Sequence, residues 1–311
     1  MNKLPQGGQR MAQPKAKTVA DFSASAAGAA FDDAYARLLR RWPDDTTTSE
    51  TEGRFGTTHV TTAGQPRTTG AADAPALLLL HGGGATSMAW TALAGHLAGG
   101  HRVIAPDIIG EPGRSRSTGD RFRSTDDLCD WIDEVLDDSA APTVDVVAHS
   151  YGAMIALAYA LRRPHRVRRL VLLDPNSCFA GMSAAYLIRA LPVLLRPDAD
   201  RQRRLLVWGT QGADLDPDWL TVTTTGVGSF PSARPVIPRR PRPQDLRALD
   251  AHRVSVLLAP DSRVHDVAQV ATNVRAALPT AAVVTLPAGT HHTLPMSPSD
   301  HLEAALDAAL R

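Results

Sequence analysis

From residue 76 onward, short and almost wholly apolar runs alternate with longer stretches whose apolar residues recur at helical spacing. The runs fall at residues 76–80, 102–105, 144–148, 170–173, 254–259 and 282–286. Runs this short, bounded by Gly, Pro or Asp, read as strands buried on both faces, and such strands belong to parallel sheets covered by helices. The stretches 90–97, 125–137, 152–163 and 267–278 supply helices between most of them. The fold class is therefore α/β, with a mostly parallel central sheet and helices on both faces.

The ends of this pattern differ. Residues 1–28 are rich in Gln, Ala, Gly, Lys and Ser, lack a hydrophobic period and read as a mobile tail. Phe31, Tyr35, Leu38, Leu39 and Trp42 then mark an amphipathic helix that Pro43 stops. Residues 55–61 are β-prone, and 64–75 read as a loop. Between the fourth and fifth runs, residues 174–253 are far more than a crossover needs. They hold helix-like pieces at 184–195 and 199–208 and a proline-rich end at 231–243. This is the pattern of a helical cap over the carboxyl edge of the sheet, where open α/β sheets place their sites. The expected organisation is a tail (1–28), a core (29–176), a cap insertion (177–245) and a second part of the core (246–311).

Composition narrows the partners. Of 311 residues, 43% are apolar and 21% charged, and the formal net charge of +1 argues against electrostatic capture of nucleic acid. The arginine clusters at 162–169 and 239–242 read as solvated helix ends and loops. Two cysteines, Cys129 and Cys178, make no disulfide framework, and no Cys/His spacing points to zinc. Lys3, Arg10, Lys15 and Lys17 are not followed by the apolar run of a signal peptide, and no stretch approaches the ~20 apolar residues of a membrane span. The expectation is a cytoplasmic protein, monomer or homodimer, with no nucleic-acid and no membrane partner.

The third run leads into Val146-Val147-Ala148-His149-Ser150-Tyr151-Gly152-Ala153-Met154, a strand, a turn carrying a serine, and a helix of small residues. His81-Gly82-Gly83-Gly84 directly follows the first run, and glycines there let backbone approach a ligand closely. The last run ends in Leu286-Pro287-Ala288-Gly289-Thr290-His291-His292, and the second leads into Pro106-Asp107-Ile108-Ile109-Gly110-Glu111-Pro112-Gly113-Arg114-Ser115.

Taken in this order, the four segments resemble the α/β-hydrolase superfamily, closest to its carboxylesterase-like members, over roughly residues 54–311. The serine turn is similar to the family's nucleophile elbow, G-x-S-x-G, with Ala148 in place of the first glycine. The resemblance implies Ser150 as nucleophile, His291 as base, and the N–H groups of Gly83 and Tyr151 as oxyanion hole, with Asp107 structural. It implies a small-molecule acyl substrate and neither a metal nor an organic cofactor. Serine in the elbow excludes the aspartate nucleophile of dehalogenases and epoxide hydrolases.

One position departs from the family. The acid usually follows the fifth run, where this chain has Ala259-Pro260-Asp261-Ser262, so Ser262 stands at the expected place. In some haloalkane dehalogenases the acid follows the preceding strand, and the matching residue here is Asp174; Asp261 and Asp266 are the other candidates. Asp174 is preferred because it ends the strand directly after the one bearing Ser150. The implied activity is carboxylic ester hydrolysis through a Ser-His-Asp triad, with Phe179, Met182, Tyr186, Leu187 and Trp208 as candidates for the acyl pocket. The same residues suit a thioesterase, an acyltransferase or a perhydrolase. From another class, an inactive hydrolase fold acting as a binding protein is favoured by the missing acid alone.

Overall fold

The computed structural model describes residues 16–65, 75–249 and 253–311. Its strands are β1 (Thr47–Gly53), β2 (Gly56–Ala63), β3 (Ala76–Leu80), β4 (Val103–Pro106), β5 (Val144–His149), β6 (Val167–Leu173), β7 (Arg253–Leu258) and β8 (Ala282–Thr285). The helices up to the second half of the sheet are α1 (Val19–Ser23), α2 (Ala26–Leu39), α3 (Thr91–Ala98), α4 (Thr125–Asp138) and α5 (Tyr151–Arg162). Four more, α6 (Ala184–Leu195), α7 (Ala199–Gly209), α8 (Pro217–Ser229) and α9 (Pro243–Leu246), lie between β6 and β7. The last are α10 (Val267–Ala277), α11 (Thr293–Met296) and α12 (Asp300–Leu310).

Among the described residues the strands form one sheet in the order β1-β2-β4-β3-β5-β6-β7-β8. The β1/β2 and β2/β4 pairings are antiparallel and all others parallel. This is the α/β-hydrolase fold. The central strands are mostly apolar because each face meets its own core. Val144, Val146 and Ala148 of β5 pack with Leu170 and Leu172 of β6 against α4, α5 and α10. Val147, Val171 and Leu173 point the other way, into a core closed by α2, α3 and α12.

Several elements differ from the sequence expectation. Residues 1–15 of the expected tail lie outside the described residues, and the tail does not extend to residue 28. Thr18 and Asp21 form a capping box for α1, and the buried Phe22 meets the rings of Phe31 and Phe230 edge-on at 5.5 and 5.2 Å. A five-residue helix gains its stability from such partners, which lie in α2 and beyond α8 and leave no local period. β1 is a polar edge strand, and so carries no apolar run. α8, rich in Thr and Gly, forms because Asp216 caps it and its buried Trp219 and Val222 join the core that holds α2. Arg37 pairs with Asp218 at 2.8 Å, and Arg41 with Asp216 and Asp218, fastening α2 to the start of α8. Among the described residues no helix is long and apolar enough to cross a membrane.

Candidate active site

Ser150 occupies the single residue between β5 and α5, with φ +54° and ψ −115°. A side chain in that region costs on the order of 1–3 kcal/mol and persists where surroundings enforce it. Here the enforcement is visible: the Ser150 N–H donates to the Leu173 carbonyl at 3.3 Å. At Gly152 a Cβ would lie 2.4 and 2.5 Å from the carbonyl oxygens of Leu80 and His81, so α5 can approach the end of β3 this closely only with glycine. Ala148, in place of the family's first glycine, is fully buried in the sheet core.

The loop after β8 brings His291 to this turn. Its Nε2 lies 2.8 Å from Ser150 Oγ, and its Nδ1 lies 2.6 Å from Asp174 Oδ2. Asp174 follows β6 directly, with φ +41°. Its carboxylate is fully buried and accepts four hydrogen bonds: Oδ2 from His291 Nδ1 and the Ser262 hydroxyl (2.7 Å), Oδ1 from the Ala259 N–H (3.1 Å) and His265 Nε2 (3.1 Å). Burial works to raise its pKa, but the hydrogen bonds and positive charge available from His265 and His291 outweigh it and hold Asp174 well below the usual carboxylate range. A carboxylate in that state only accepts, so Nδ1 of His291 carries a proton and its Nε2 lone pair faces the serine hydroxyl.

The other two candidate acids are elsewhere. Asp261 is exposed, and Asp266 caps α10 by accepting the Gln269 N–H at 2.9 Å. Asp174 is the one that meets His291.

Three further residues complete the cluster and were not anticipated. Ser262, at the position where the resemblance leads one to expect an acid, donates its hydroxyl to Asp174 instead. His265 donates to the same carboxylate, which leaves its own buried Nδ1 without a partner. His149, immediately before the serine, donates from Nε2 to the His291 carbonyl at 2.8 Å and so ties the histidine loop to the elbow. Burial, with the neighbouring His291 and His292, keeps the His149 ring well below the usual histidine range. Nothing in their local sequence distinguishes His265 or His149 from ordinary core histidines.

The glycine loop lies against the elbow. A Cβ at Gly82 would sit 3.2 Å from Ser150 Cβ, and one at Gly83 would sit 3.5 Å from Tyr151 Cβ. His81 holds the loop, donating from Nδ1 to the Gly82 carbonyl at 2.8 Å and accepting the Ile108 N–H on Nε2 at 3.0 Å. The Gly84 N–H donates to Glu111 Oε2 at 2.7 Å. The N–H groups of Gly83 and Tyr151 have no acceptor among the described residues. Asp107 is buried and accepts from Ser87, the Arg114 N–H and Tyr35, which binds together the loops around it.

The α6–α9 segment touches residues around the cluster at three points. Val227 is where a side-chain carbon at Gly84 would come within 2.7 Å, and Val236 accepts the Tyr151 hydroxyl at 2.7 Å. Gly209 lies against the His292 ring, where a Cβ would come within 3.3 Å. Of the residues expected to line an acyl pocket, Phe179 is buried, and Tyr186 and Trp208 pack together at 6.4 Å. Met182 is half-buried, whereas Leu187 is exposed on the outer side of α6. A cavity of about 450 Å³ lies between α5 (Met154, Leu157, Leu161) and residues 238–241, and none of Ser150, Asp174 and His291 lines it. Among the described residues no group of three or more His, Cys, Asp or Glu side chains is arranged to hold a metal ion.

Known proteins resemble this chain to different extents. Residues 75–224 match the alpha/beta hydrolase fold family. The carboxylesterase YbfK of Bacillus subtilis is 29% identical over 200 residues, 64% of this chain and 60% of that protein. The 2-hydroxymuconate semialdehyde hydrolase of a Pseudomonas species is 41% identical over 100 residues, 31% of this chain and 35% of that protein. The sequence matches thus span less than two thirds of these relatives. In three dimensions the crystal structure of naproxen esterase from Bacillus subtilis superimposes with a TM-score of 0.79 at 23% identity, covering 91% of this chain and 98% of that one.

Proposed function

We propose that this chain, a member of the α/β-hydrolase superfamily, is a serine hydrolase that cleaves a carboxylic ester through an acyl-enzyme. The observation that carries the reading is the unbroken run of hydrogen bonds from Ser150 Oγ through His291 to Asp174. The carboxylesterases among its relatives support the choice of ester as substrate class.

Each step follows from the positions of the groups. His291 Nε2 accepts the Ser150 proton as Oγ attacks the ester carbonyl, and the carboxylate of Asp174 stabilises the imidazolium so formed. The carbonyl oxygen becomes an oxyanion, for which the free N–H groups of Gly83 and Tyr151 are the donors at hand. Tyr151 N–H opens α5, where the helix dipole also favours negative charge. Collapse of the intermediate expels the alkoxide, which takes the proton from His291. A water then gives a proton to His291 and attacks the acyl-enzyme, releasing the carboxylic acid and restoring Ser150. The α6–α9 segment acts as the cap of this site. The alternative of an inactive scaffold rests on a missing acid, and Asp174 at 2.6 Å from His291 fills that role.

Labelling with a fluorophosphonate, followed by mass mapping, tests the reading. The adduct is expected on Ser150, with p-nitrophenyl ester hydrolysis lost in proportion. Full hydrolysis by Ser150→Ala protein, or an adduct confined to another residue, overturns it.

A further inference from the structure

We propose that the outer face of α6 is a docking surface for an anionic lipid–water interface. The helix reads Ala-Ala-Tyr-Leu-Ile-Arg-Ala-Leu-Pro-Val-Leu-Leu, with Arg189 its one charged residue. Its inner side is accounted for: Ala190 and Val193 are buried with Leu205 of α7, and Tyr186 and Trp208 pack against them. The opposite side is also apolar and has no cover among the described residues. Leu187, Ile188, Leu191, Leu194 and Leu195 are 42, 70, 50, 69 and 72% exposed, and Val207 of α7 is exposed beside them. At 100° per residue these five positions of α6 fall within an arc of about 120°. A helix apolar on all sides is normally buried on all sides, and a contiguous apolar patch of this kind marks a place of contact.

Charge selects the occupant. From residue 175 to 197 the chain contains no Asp or Glu, and the first acids beyond are Asp198, spent on capping α7, and Asp200. Arg196 at the end of α6 and Arg203 and Arg204 of α7 are exposed, whereas Arg189 lies about 160° round the helix from the middle of the stripe and stacks on the Trp208 ring at 5.5 Å. A second copy meeting this face about a two-fold axis would bring the same arginine rim against itself. A surface of acidic phospholipids instead receives the leucines among its acyl chains and the guanidinium groups among its phosphates. The expectation of no membrane partner rests on the lack of a long apolar run, and a helix lying in the interface plane needs none.

The face is mechanically joined to the candidate site. Ser183, the cap of α6, donates its N–H to the Val264 carbonyl at 2.7 Å and its hydroxyl to the Arg263 carbonyl at 2.8 Å. These carbonyls belong to the turn that carries Ser262 and His265. A docked α6 therefore holds the support of Asp174 at the lipid surface. The docking itself does not depend on which bond the site cleaves.

Co-sedimentation of the full chain with phosphatidylcholine vesicles, with and without phosphatidylglycerol, tests the proposal. Binding is expected to the phosphatidylglycerol vesicles and to weaken as salt is raised. Leu191→Ser/Leu195→Ser is expected to abolish it while hydrolysis of a water-soluble p-nitrophenyl ester stays unchanged. Arg196→Gln, which leaves the stripe intact, is expected to weaken it about fivefold. The proposal is overturned if the wild-type chain stays in the supernatant with phosphatidylglycerol vesicles. It is equally overturned if light scattering finds a dimer that Leu191→Ser/Leu195→Ser converts to monomer, since the face is then a contact between copies.

Discussion

Ser262 donates its hydroxyl to Asp174 Oδ2 across 2.7 Å, the same oxygen that accepts the Nδ1–H of His291 at 2.6 Å. The residue at the family's usual acid position and the carboxylate in contact with His291 are thus one hydrogen bond apart. This arrangement predicts an exchange of roles. Asp174→Asn is expected to lower kcat by about 10⁴, because the imidazole loses the acceptor that fixes its tautomer. Adding Ser262→Asp to that variant supplies a carboxylate beside the vacated oxygen and is expected to restore part of the activity. Ser262→Asp alone places two buried carboxylates together, one of which must take up a proton, and is expected to lower activity. Kinetics of the three proteins decide it: if Ser262→Asp affects both backgrounds alike, the two positions do not share the histidine.

The backbone of Ser150 predicts a stability difference separable from catalysis. Both Ser150→Ala and Ser150→Gly remove the hydroxyl proposed to attack the ester and are expected to lower kcat by about 10⁴–10⁶. Only glycine adopts φ +54°, ψ −115° without strain. Ser150→Gly is expected to exceed Ser150→Ala in unfolding free energy by about 1 kcal/mol. Urea melts of the pair measure this, and equal midpoints would falsify the strain assignment.

Acid is expected to destabilise the protein well before carboxylates titrate. Burial, with the neighbouring His291, pushes His292 down to about 3, and burial likewise holds His149 and His81 below the usual histidine range. A histidine kept neutral in the fold binds fewer protons folded than unfolded. Its contribution is therefore complete above about pH 6.5 and is lost as pH falls toward its folded value. For His292 the slope approaches about 1.4 kcal/mol per pH unit within that window. Asp174, whose folded pKa is depressed, adds to the loss only below about pH 4. Melting temperatures recorded downward from about pH 7.5 to about pH 5 are expected to fall more steeply for the wild type than for His292→Gln. Parallel curves count against a buried neutral His292.

Gly152→Ala is expected to cost about 2–3 kcal/mol, an overpacking penalty with no cavity to absorb it. The added carbon would meet two backbone carbonyls, of Leu80 and His81, rather than movable side chains. Denaturant unfolding measures the cost, and a change within experimental error shows that α5 can move off β3.

Much of this molecule is written locally. Short, almost wholly apolar runs bounded by turn residues read as strands covered on both faces, and the described sheet runs through each of them. The turn at Ser150 is equally local, since smallness at Ala148 and Gly152 is what a strand entering a helix this abruptly requires. α8 was not legible, because its Thr and Gly residues are poor helix formers and Trp219 and Val222 act only once they reach the core that holds α2. α1 likewise depends on aromatic partners in α2 and beyond α8.

The sequence by itself determined the order of strands and helices, the serine at the elbow and the histidine after the last strand, because each depends on neighbours a few residues away. Which carboxylate would meet that histidine was decided only in three dimensions. Asp174 is 88 residues from Ser262 and 117 from His291, and sequence spacing says nothing about oxygen positions at that range. The pairing of Leu173 with Leu257 puts the end of β6 beside the end of β7, so that Ala259, Ser262 and His265 converge on the residue that follows β6. A buried carboxylate is stable there because four donors, three from the turn after β7 and one from the loop after β8, replace its water, and only the folded sheet brings the two segments together on it.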